Sequence, residues 1–264
     1  MLRFFISPHP TFGNYAQPHK WKVEASPYFW WWYALTQNAE YKLLTQDLVA
    51  GAVDIDTLTE QQQKMLRVYE DFGDVGFEGC RYAAFARWWR NRVNTNETRG
   101  ERLFAEPLLQ RSVRLLQHVD DAAAALNSDD MLVLAVPRDM QRQHIDKAID
   151  KMLRKHVVTH KGRAIRNPKQ SQARYSMSKP VLAQSMKKAF DVYDLRTAAA
   201  EEGVKLPNEK VAKAAKIAYT QKSVDNEAEF TPAQRRRVVS AIVARHYKDA
   251  KTMIENSAVG VFPK

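Results

Sequence analysis

Three consecutive tryptophans, Trp30-Trp31-Trp32, constrain the fold more than any other feature of the sequence. They follow Ser26-Pro27, where serine suits a helix N-cap and proline the first helical position, so we predict a helix from there to about Val49. Successive side chains of a helix point about 100° apart, so the three indoles cannot share one face. At least one of them should therefore contact another helix or a partner, and we predict Trp30, Trp31 and Trp32 as partner-binding residues.

The rest of the chain predicts further helices and little sheet. Apolar residues recur every three or four positions in seven segments that we predict as helices: 59–73, 80–92, 107–126, 141–156, 179–202, 208–219 and 231–256. The apolar run 131–137, closed by a proline, favours one buried strand, and the apolar tail 258–264 is expected to dock. The predicted fold is mainly α with a small β element.

Tryptophan and charge both divide the chain into two halves. All six tryptophans lie in the first 90 residues. Residues 1–135 hold 14 Lys/Arg and 17 Asp/Glu, whereas residues 136–264 hold 27 Lys/Arg and 13 Asp/Glu. We therefore predict an aromatic-rich helical module over 1–128 and a basic helical, nucleic-acid-binding module over 129–264.

The basic half contains a long stretch without carboxylates. Between Lys151 and Phe190 there are 11 basic residues and no acidic one. Such a stretch repels itself unless a polyanion screens it, and cations that neutralise phosphates gain affinity by releasing condensed counterions. We predict nucleic acid as the partner, DNA in preference to RNA, with other protein subunits as further partners and no membrane. Another acidic partner, such as a protein or a membrane surface, and a solvated basic linker remain the alternatives.

The predicted phosphate contacts are the basic residues of that stretch and of the last helix. Arg235, Arg236 and Arg237 open the last helix, where positive charge opposes the helix dipole, and this cost suggests that they serve phosphates of a partner. A solvated helix face is the alternative. The full predicted set is Lys151, Arg154, Lys155, Lys161, Arg163, Arg166, Lys169, Arg174, Lys179, Lys187, Lys188, Lys222, Arg235, Arg236 and Arg237.

The region 191–224 resembles a helix-turn-helix. Residues 211–218 read Val-Ala-Lys-Ala-Ala-Lys-Ile-Ala and are similar to the Val-Ala-x-x-Ala-Gly-Val-Ser pattern of many bacterial repressors. The turn glycine of that pattern is Lys216 here, and the residues that follow become acidic where a recognition helix should be basic. If the segment reads DNA, the groove contacts would be Thr220, Gln221, Lys222 and Ser223. A plain alanine-rich amphipathic helix is the alternative.

Composition argues against several kinds of chemistry. Cys80 is the only cysteine, so the chain has no internal disulfide and no cysteine-based zinc finger. Glycine is scarce, at nine residues, and no phosphate-binding loop motif occurs. We predict no cofactor, no catalytic residue and no metal ligand. A metal-dependent nuclease is an alternative that would use Asp129, Asp130 and Asp139 beside the strand, or the cluster Glu70, Asp71, Asp74 and Glu78. No apolar run approaches about 18 residues, so we expect a cytoplasmic protein.

Several short patterns occur in a familiar order. They are Ser26-Pro-Tyr-Phe-Trp-Trp-Trp, Phe72-Gly-Asp-Val, Arg87-Trp-Trp, Leu103-Phe-x-Glu-Pro107, the strand ending at Pro137, and Asn256-x-x-x-Gly-x-Phe-Pro263. The chain resembles a family of uncharacterised proteins encoded on bacterial mobile elements, that is plasmids, integrative elements and prophages. The resemblance carries no activity over. It implies a setting in which small basic helical proteins act as DNA-binding regulators or subunits of nucleoprotein complexes.

The expected function is therefore a non-enzymatic nucleic-acid-binding protein of such an element. It would contact phosphates through its basic C-terminal half. The alternative is a protein–protein interaction subunit that uses the tryptophan-rich module.

Overall fold

The computed structural model describes residues 4–13, 17–107, 115–116, 118–127, 132–156, 171–179, 182–218 and 231–263. Within these residues the chain forms helices α1 (Lys20–Glu24), α2 (Pro27–Gln37), α3 (Ala39–Val49), α4 (Glu60–Phe72), α5 (Arg81–Arg90), α6 (Arg99–Phe104), α7 (Val119–Leu126), α8 (Arg142–His156), α9 (Ala183–Glu201), α10 (Asn208–Ala214) and α11 (Pro232–Ser257). A 3-10 turn, Ile55–Thr57, separates α3 from α4. The prediction of a mainly helical protein is confirmed.

The small β element is not confirmed. In the described ranges, extended pairing is confined to two isolated bridges, between Arg92 and Thr98 and between Met177 and Phe262. Met131, the first residue of the predicted strand, lies outside the described ranges. Residues 132–137 form no strand, and they are exposed or half-buried. An apolar run becomes a strand only where a second strand supplies hydrogen bonds, and none lies beside this one in the described residues.

The chain divides into two compact units. Unit 1 comprises Met1–Glu106 together with Asn167–Lys264, and unit 2 comprises Pro107–Arg166. The predicted division between residues 128 and 129 is not confirmed, because unit 1 contains helices from both halves of the chain. Unit 2 contributes α7 and α8.

The tryptophan triplet forms the centre of unit 1. Trp30 stacks on Phe190 of α9 with ring centroids 5.5 Å apart, and Trp31 stacks on Phe262 near the chain end at 5.2 Å. Trp32 points to the opposite side, toward Phe85 of α5 at 5.4 Å. The relative exposure of the three side chains is 0%, 0% and 1%. Helix α2 is thus enclosed on all sides by its own chain, and this burial does not support the predicted partner contact of Trp30, Trp31 and Trp32.

The predicted helix from Pro27 to about Val49 is two helices, because Asn38 interrupts it. Asn38 takes an extended conformation, and its side-chain oxygen accepts a hydrogen bond from the backbone N–H of Tyr41, which caps α3. The amide nitrogen of Asn38 donates to the carbonyl of Ile254 in α11 at 3.0 Å. The side chain of Asn38, at the break between α2 and α3, therefore links these helices to α11.

A second, smaller core lies where α9, α10 and α11 pack together. Its buried members are Val192, Val211, Ala212, Ala215, Ile217, Val239 and Val243. Helix α10 ends in a Schellman motif, in which the N–H of Ile217 bonds the carbonyl of Ala212 and the N–H of Lys216 bonds that of Lys213. Lys216 accordingly has φ +51°, and it is the one non-glycine residue with positive φ among the described residues.

Glu106 marks the point where the chain leaves unit 1 for unit 2. Its carboxylate is buried and accepts hydrogen bonds from the hydroxyl of Ser171 and the backbone N–H of Gln172, while its own N–H bonds the carbonyl of Phe4. The chain end docks on the core, as predicted, since Phe262 is fully buried and forms a bridge with Met177.

Candidate nucleic-acid interface

Helix α8 of unit 2 carries the first group of predicted phosphate contacts. No side chain of α8 is buried. Lys151, Arg154 and Lys155 line one open pocket of about 420 Å³ together with Lys147 and Asp150. Positions three and four apart lie on one side of a helix, which explains why these side chains meet. Asp150 neutralises part of the group through an ion pair of 2.5 Å with Arg154.

A second group of positive charges lies between α9 and α11 in unit 1. Lys188 of α9 is half-buried, and Arg245 of α11 is exposed. Burial lowers the pKa of His246, and the charges of Arg245 and Lys188 lower it further, against an opposing effect of Asp249. Cations from two helices thus act on one histidine, and the sequence spacing alone does not reveal this pair.

The three arginines that open α11 differ in their surroundings. The helix begins with a capping box formed by Thr231 and Gln234, and its first turn holds no acidic residue. Arg235 is half-buried, and its Nε has no hydrogen-bond partner in the described ranges. Arg236 donates from Nε to the carbonyl of Pro232 at 3.3 Å, and Arg237 is exposed. The positive charge at this helix start is therefore not balanced by the helix itself.

Two of the predicted contacts are engaged inside unit 1 instead. Arg174 donates to the carboxylate of Asp71 at 2.7 Å. Lys187 lies 2.8 Å from the carboxylate of Asp191 and 3.7 Å from that of Glu24. Carboxylates of the same unit thus neutralise part of the charge of Arg174 and Lys187, as Asp150 does for Arg154, and their role as phosphate contacts stays a prediction.

For the remaining predicted phosphate contacts the structure gives little or no information on their surroundings. Lys179 is exposed at the end of the described segment 171–179. Lys161, Arg163, Arg166, Lys169 and Lys222 lie outside the described residues, as do the predicted groove contacts Thr220, Gln221 and Ser223. The basic residues that are described fall into both units, so they do not form one group defined by the fold of a single unit.

A partly buried polar network in unit 1 was not predicted from the sequence. The Tyr33 hydroxyl donates to Asp194 at 2.8 Å, and Arg81 donates to the other oxygen of the same carboxylate at 2.9 Å. The guanidinium of Arg81 also lies 4.6 Å from the Tyr33 ring centre. Burial raises the pKa of Tyr33 and of Asp194. The network joins α2, α5 and α9, and its members lie too far apart in sequence for a spacing pattern to reveal them.

Two of the acidic residues considered for a nuclease, Asp71 and Asp74, have other roles in the structure. Asp71 accepts from Arg174 and Tyr175, and Asp74 accepts from the N–H of Gly76 at 2.7 Å within its own turn. Asp139 lies in an exposed turn, and Asp129 and Asp130 lie outside the described ranges. Across the part of the chain that is described, no three His, Cys, Asp or Glu side chains are grouped so as to hold a metal ion.

No helix in the described ranges is both long and apolar enough to cross a membrane. No protein-family model, curated protein or solved structure matches the chain significantly.

Proposed function

We propose that this chain is a non-enzymatic, nucleic-acid-binding protein that contacts DNA phosphates and acts as a regulator or as a subunit of a nucleoprotein complex of a bacterial mobile element. The observation that carries the proposal is the exposed basic side of α8, where Lys151, Arg154 and Lys155 lie together at the start of the carboxylate-free stretch. The cations at the start of α11 and around His246 add to it.

The physical basis is electrostatic and independent of base sequence. DNA carries a dense row of phosphates with condensed counterions, and each phosphate that a protein neutralises releases counterions to the solvent. Exposed lysines and arginines on a helix supply such contacts without a preformed groove. We therefore propose that the protein binds mainly the phosphate backbone of DNA and that recognition of base sequence is secondary.

The salt dependence of duplex binding tests this proposal. The triple variant Lys151→Ala/Arg154→Ala/Lys155→Ala should bind a generic duplex more weakly. Its plot of log affinity against log salt should be flatter by about 2 to 3, since each phosphate contact contributes about 0.9. Fluorescence anisotropy of a labelled duplex at several salt concentrations measures both effects.

A matched control removes the same charge elsewhere. Lys42, Lys64 and Arg67 are exposed on α3 and α4, and the triple alanine variant at these positions should leave the slope unchanged. A wild-type protein that shows no duplex binding at low salt, or a flat slope, would disprove the proposal.

A sequence-reading role for α9 to α11 is supported by one observation. Lys216 occupies the position of the turn glycine in the repressor pattern, and it takes the left-handed conformation that favours glycine. Selection of binding sites from a random duplex library tests this role. Recovery of one enriched sequence, with discrimination relaxed in Gln221→Ala or Lys222→Ala, would support it. Recovery of no enriched sequence would contradict it.

A further inference from the structure

Four arginines of unit 1 line one pocket outside the basic half of the chain. The pocket has a volume of about 490 Å³, and its lining includes Arg87, Arg90, Arg92 and Arg99 together with Trp88. We call it the arginine pocket. It is a shallow depression that is open to solvent.

The local fold explains why these arginines meet. Arg87 and Arg90 are three residues apart on α5 and therefore lie on one side of that helix. The loop that follows is closed by the bridge between Arg92 and Thr98. The backbone N–H of Arg99 then bonds the carbonyl of Asn91 at 2.7 Å, which returns the start of α6 to the end of α5.

The described lining of the arginine pocket holds four arginines and one carboxylate, that of Asp74. The Asp74 carboxylate accepts a hydrogen bond from the backbone N–H of Gly76 within its own turn. The side chain of Arg87 is exposed and forms no hydrogen bond or ion pair with the side chains and backbone of the described residues. Like charges that line one depression repel one another, and a bound anion would relieve that repulsion.

Arg99 is held in place at the wall of the arginine pocket. Its Nη1 donates to the carbonyl of Phe72 at 2.9 Å, whereas its Nε is buried without a partner among the described residues. Burial also lowers its pKa, which reflects a guanidinium removed from water with incomplete compensation. Gly73 leaves room for it, since a Cβ there would lie 2.9 Å from Nη1.

We propose that the arginine pocket binds a phosphate group. The planar guanidinium presents a fork of N–H donors that matches the oxygens of phosphate, and several arginines around one cavity can engage one phosphate or two adjacent ones. The phosphate belongs either to a free nucleotide or to a nucleic-acid strand, and the chemistry of recognition is the same in both. The residues that line this site all lie between positions 74 and 99, outside the basic C-terminal half.

Titration with three probes tests the proposal: inorganic pyrophosphate, ATP and a short DNA duplex. The variant Arg87→Ala/Arg92→Ala should weaken binding of at least one probe by about tenfold or more, as expected when charge-assisted contacts are lost. The control Lys64→Ala/Arg67→Ala removes the same charge from the exposed side of α4 and should leave all three affinities unchanged. Tryptophan fluorescence of each variant verifies that unit 1 remains folded, since Trp88 borders the pocket.

The pattern of losses identifies the source of the phosphate. Weaker binding of ATP and pyrophosphate with unchanged duplex affinity assigns the arginine pocket to a free nucleotide. Weaker duplex binding assigns it to a nucleic-acid strand. If the variant binds all three probes as the control does, or if no probe binds either protein, the proposal is overturned. Failure of the α8 variant to alter duplex binding would refute the proposed function without affecting the pyrophosphate and ATP measurements here.

Discussion

Replacing single tryptophans of the triplet by phenylalanine should destabilise unit 1 to different degrees. The indole N–H of Trp30 donates to the carbonyl of Glu24 at 2.9 Å, whereas the indole N–H of Trp31 is buried without a partner in the described ranges. Both rings are fully buried and stacked, so Trp→Phe removes the same atoms from similar surroundings. The difference in unfolding free energy between the two variants therefore depends mainly on whether the lost indole N–H was hydrogen-bonded.

The magnitude follows from the cost of hydrogen bonds in a buried site. Trp30→Phe loses a hydrogen bond worth about 1 kcal/mol, whereas Trp31→Phe removes an unpaired buried donor whose desolvation costs about 1 to 3 kcal/mol. Trp30→Phe should thus be less stable than Trp31→Phe by about 2 to 4 kcal/mol. With a urea dependence of about 2 kcal/mol/M, the midpoints should differ by about 1 to 2 M.

Urea unfolding followed by tryptophan fluorescence measures this difference. All six tryptophans lie in the part of the chain that belongs to unit 1, so the signal reports unit 1. Trp21→Phe is the control, since Trp21 is 70% exposed and its replacement should leave the midpoint unchanged. A midpoint for Trp31→Phe equal to or below that of Trp30→Phe, at equal urea dependence, would refute the reasoning.

Three further predictions concern backbone conformation and pH. Gly73→Ala should lower the free energy of unfolding by about 1 to 3 kcal/mol in thermal or urea denaturation, because Gly73 has φ +67° and ψ −164°, a region that glycine alone readily adopts, and its Cβ would press on Arg99; an unchanged stability would contradict the assigned backbone. Lys216→Gly should raise the free energy of unfolding by about 1 kcal/mol, since it relieves a left-handed lysine; a loss of stability would argue against that conformation. The pKa of His246 is below its ordinary 6.5 in the folded chain, so the unfolded chain binds the proton more tightly and stability should fall as pH drops from about 6.5 through the folded pKa; His246→Gln should reduce this dependence in urea titrations at pH 7.5 and 5, and an unchanged slope would disprove it.

Helix ends were predictable where local chemistry sets them. Thr231-Pro232 begins α11 and Gly73 ends α4, as the capping preferences of these residues indicate. The break at Asn38 was not predictable from the same rules, because it depends on a hydrogen bond to Ile254, more than two hundred residues away in the chain. Such a contact leaves no periodic signal in the local sequence.

The tryptophan triplet shows both the reach and the limit of sequence reasoning. The geometry of a helix correctly required that the three indoles contact different surroundings. The sequence could not show that Trp30 stacks on Phe190 and Trp31 on Phe262. The prediction therefore gave these indoles a partner outside the chain. The spacing of apolar residues identifies one face of one helix. Burial of the other faces depends on which distant segments of the chain pack against that helix.

The basic residues illustrate the same point for function. A count of charges cannot distinguish Lys155, exposed on α8, from Arg174, which is paired with Asp71. Nor does it reveal the arginine pocket, since its four arginines lie in a half of the chain where acidic residues outnumber basic ones. Only the closure of the loop between α5 and α6 brings them to one cavity.

The hydrogen bonds of Glu106 to Ser171 and Gln172 have a consequence for the evolution of this chain. The segment between them begins and ends at one hydrogen-bonded junction, so unit 2 is an insertion within a fold whose own elements come from both ends of the sequence. An insertion with neighbouring ends can be shortened, lengthened or exchanged without rethreading the host core. The aromatic unit can thus remain constant while the inserted helices change, which allows one scaffold to carry different surfaces.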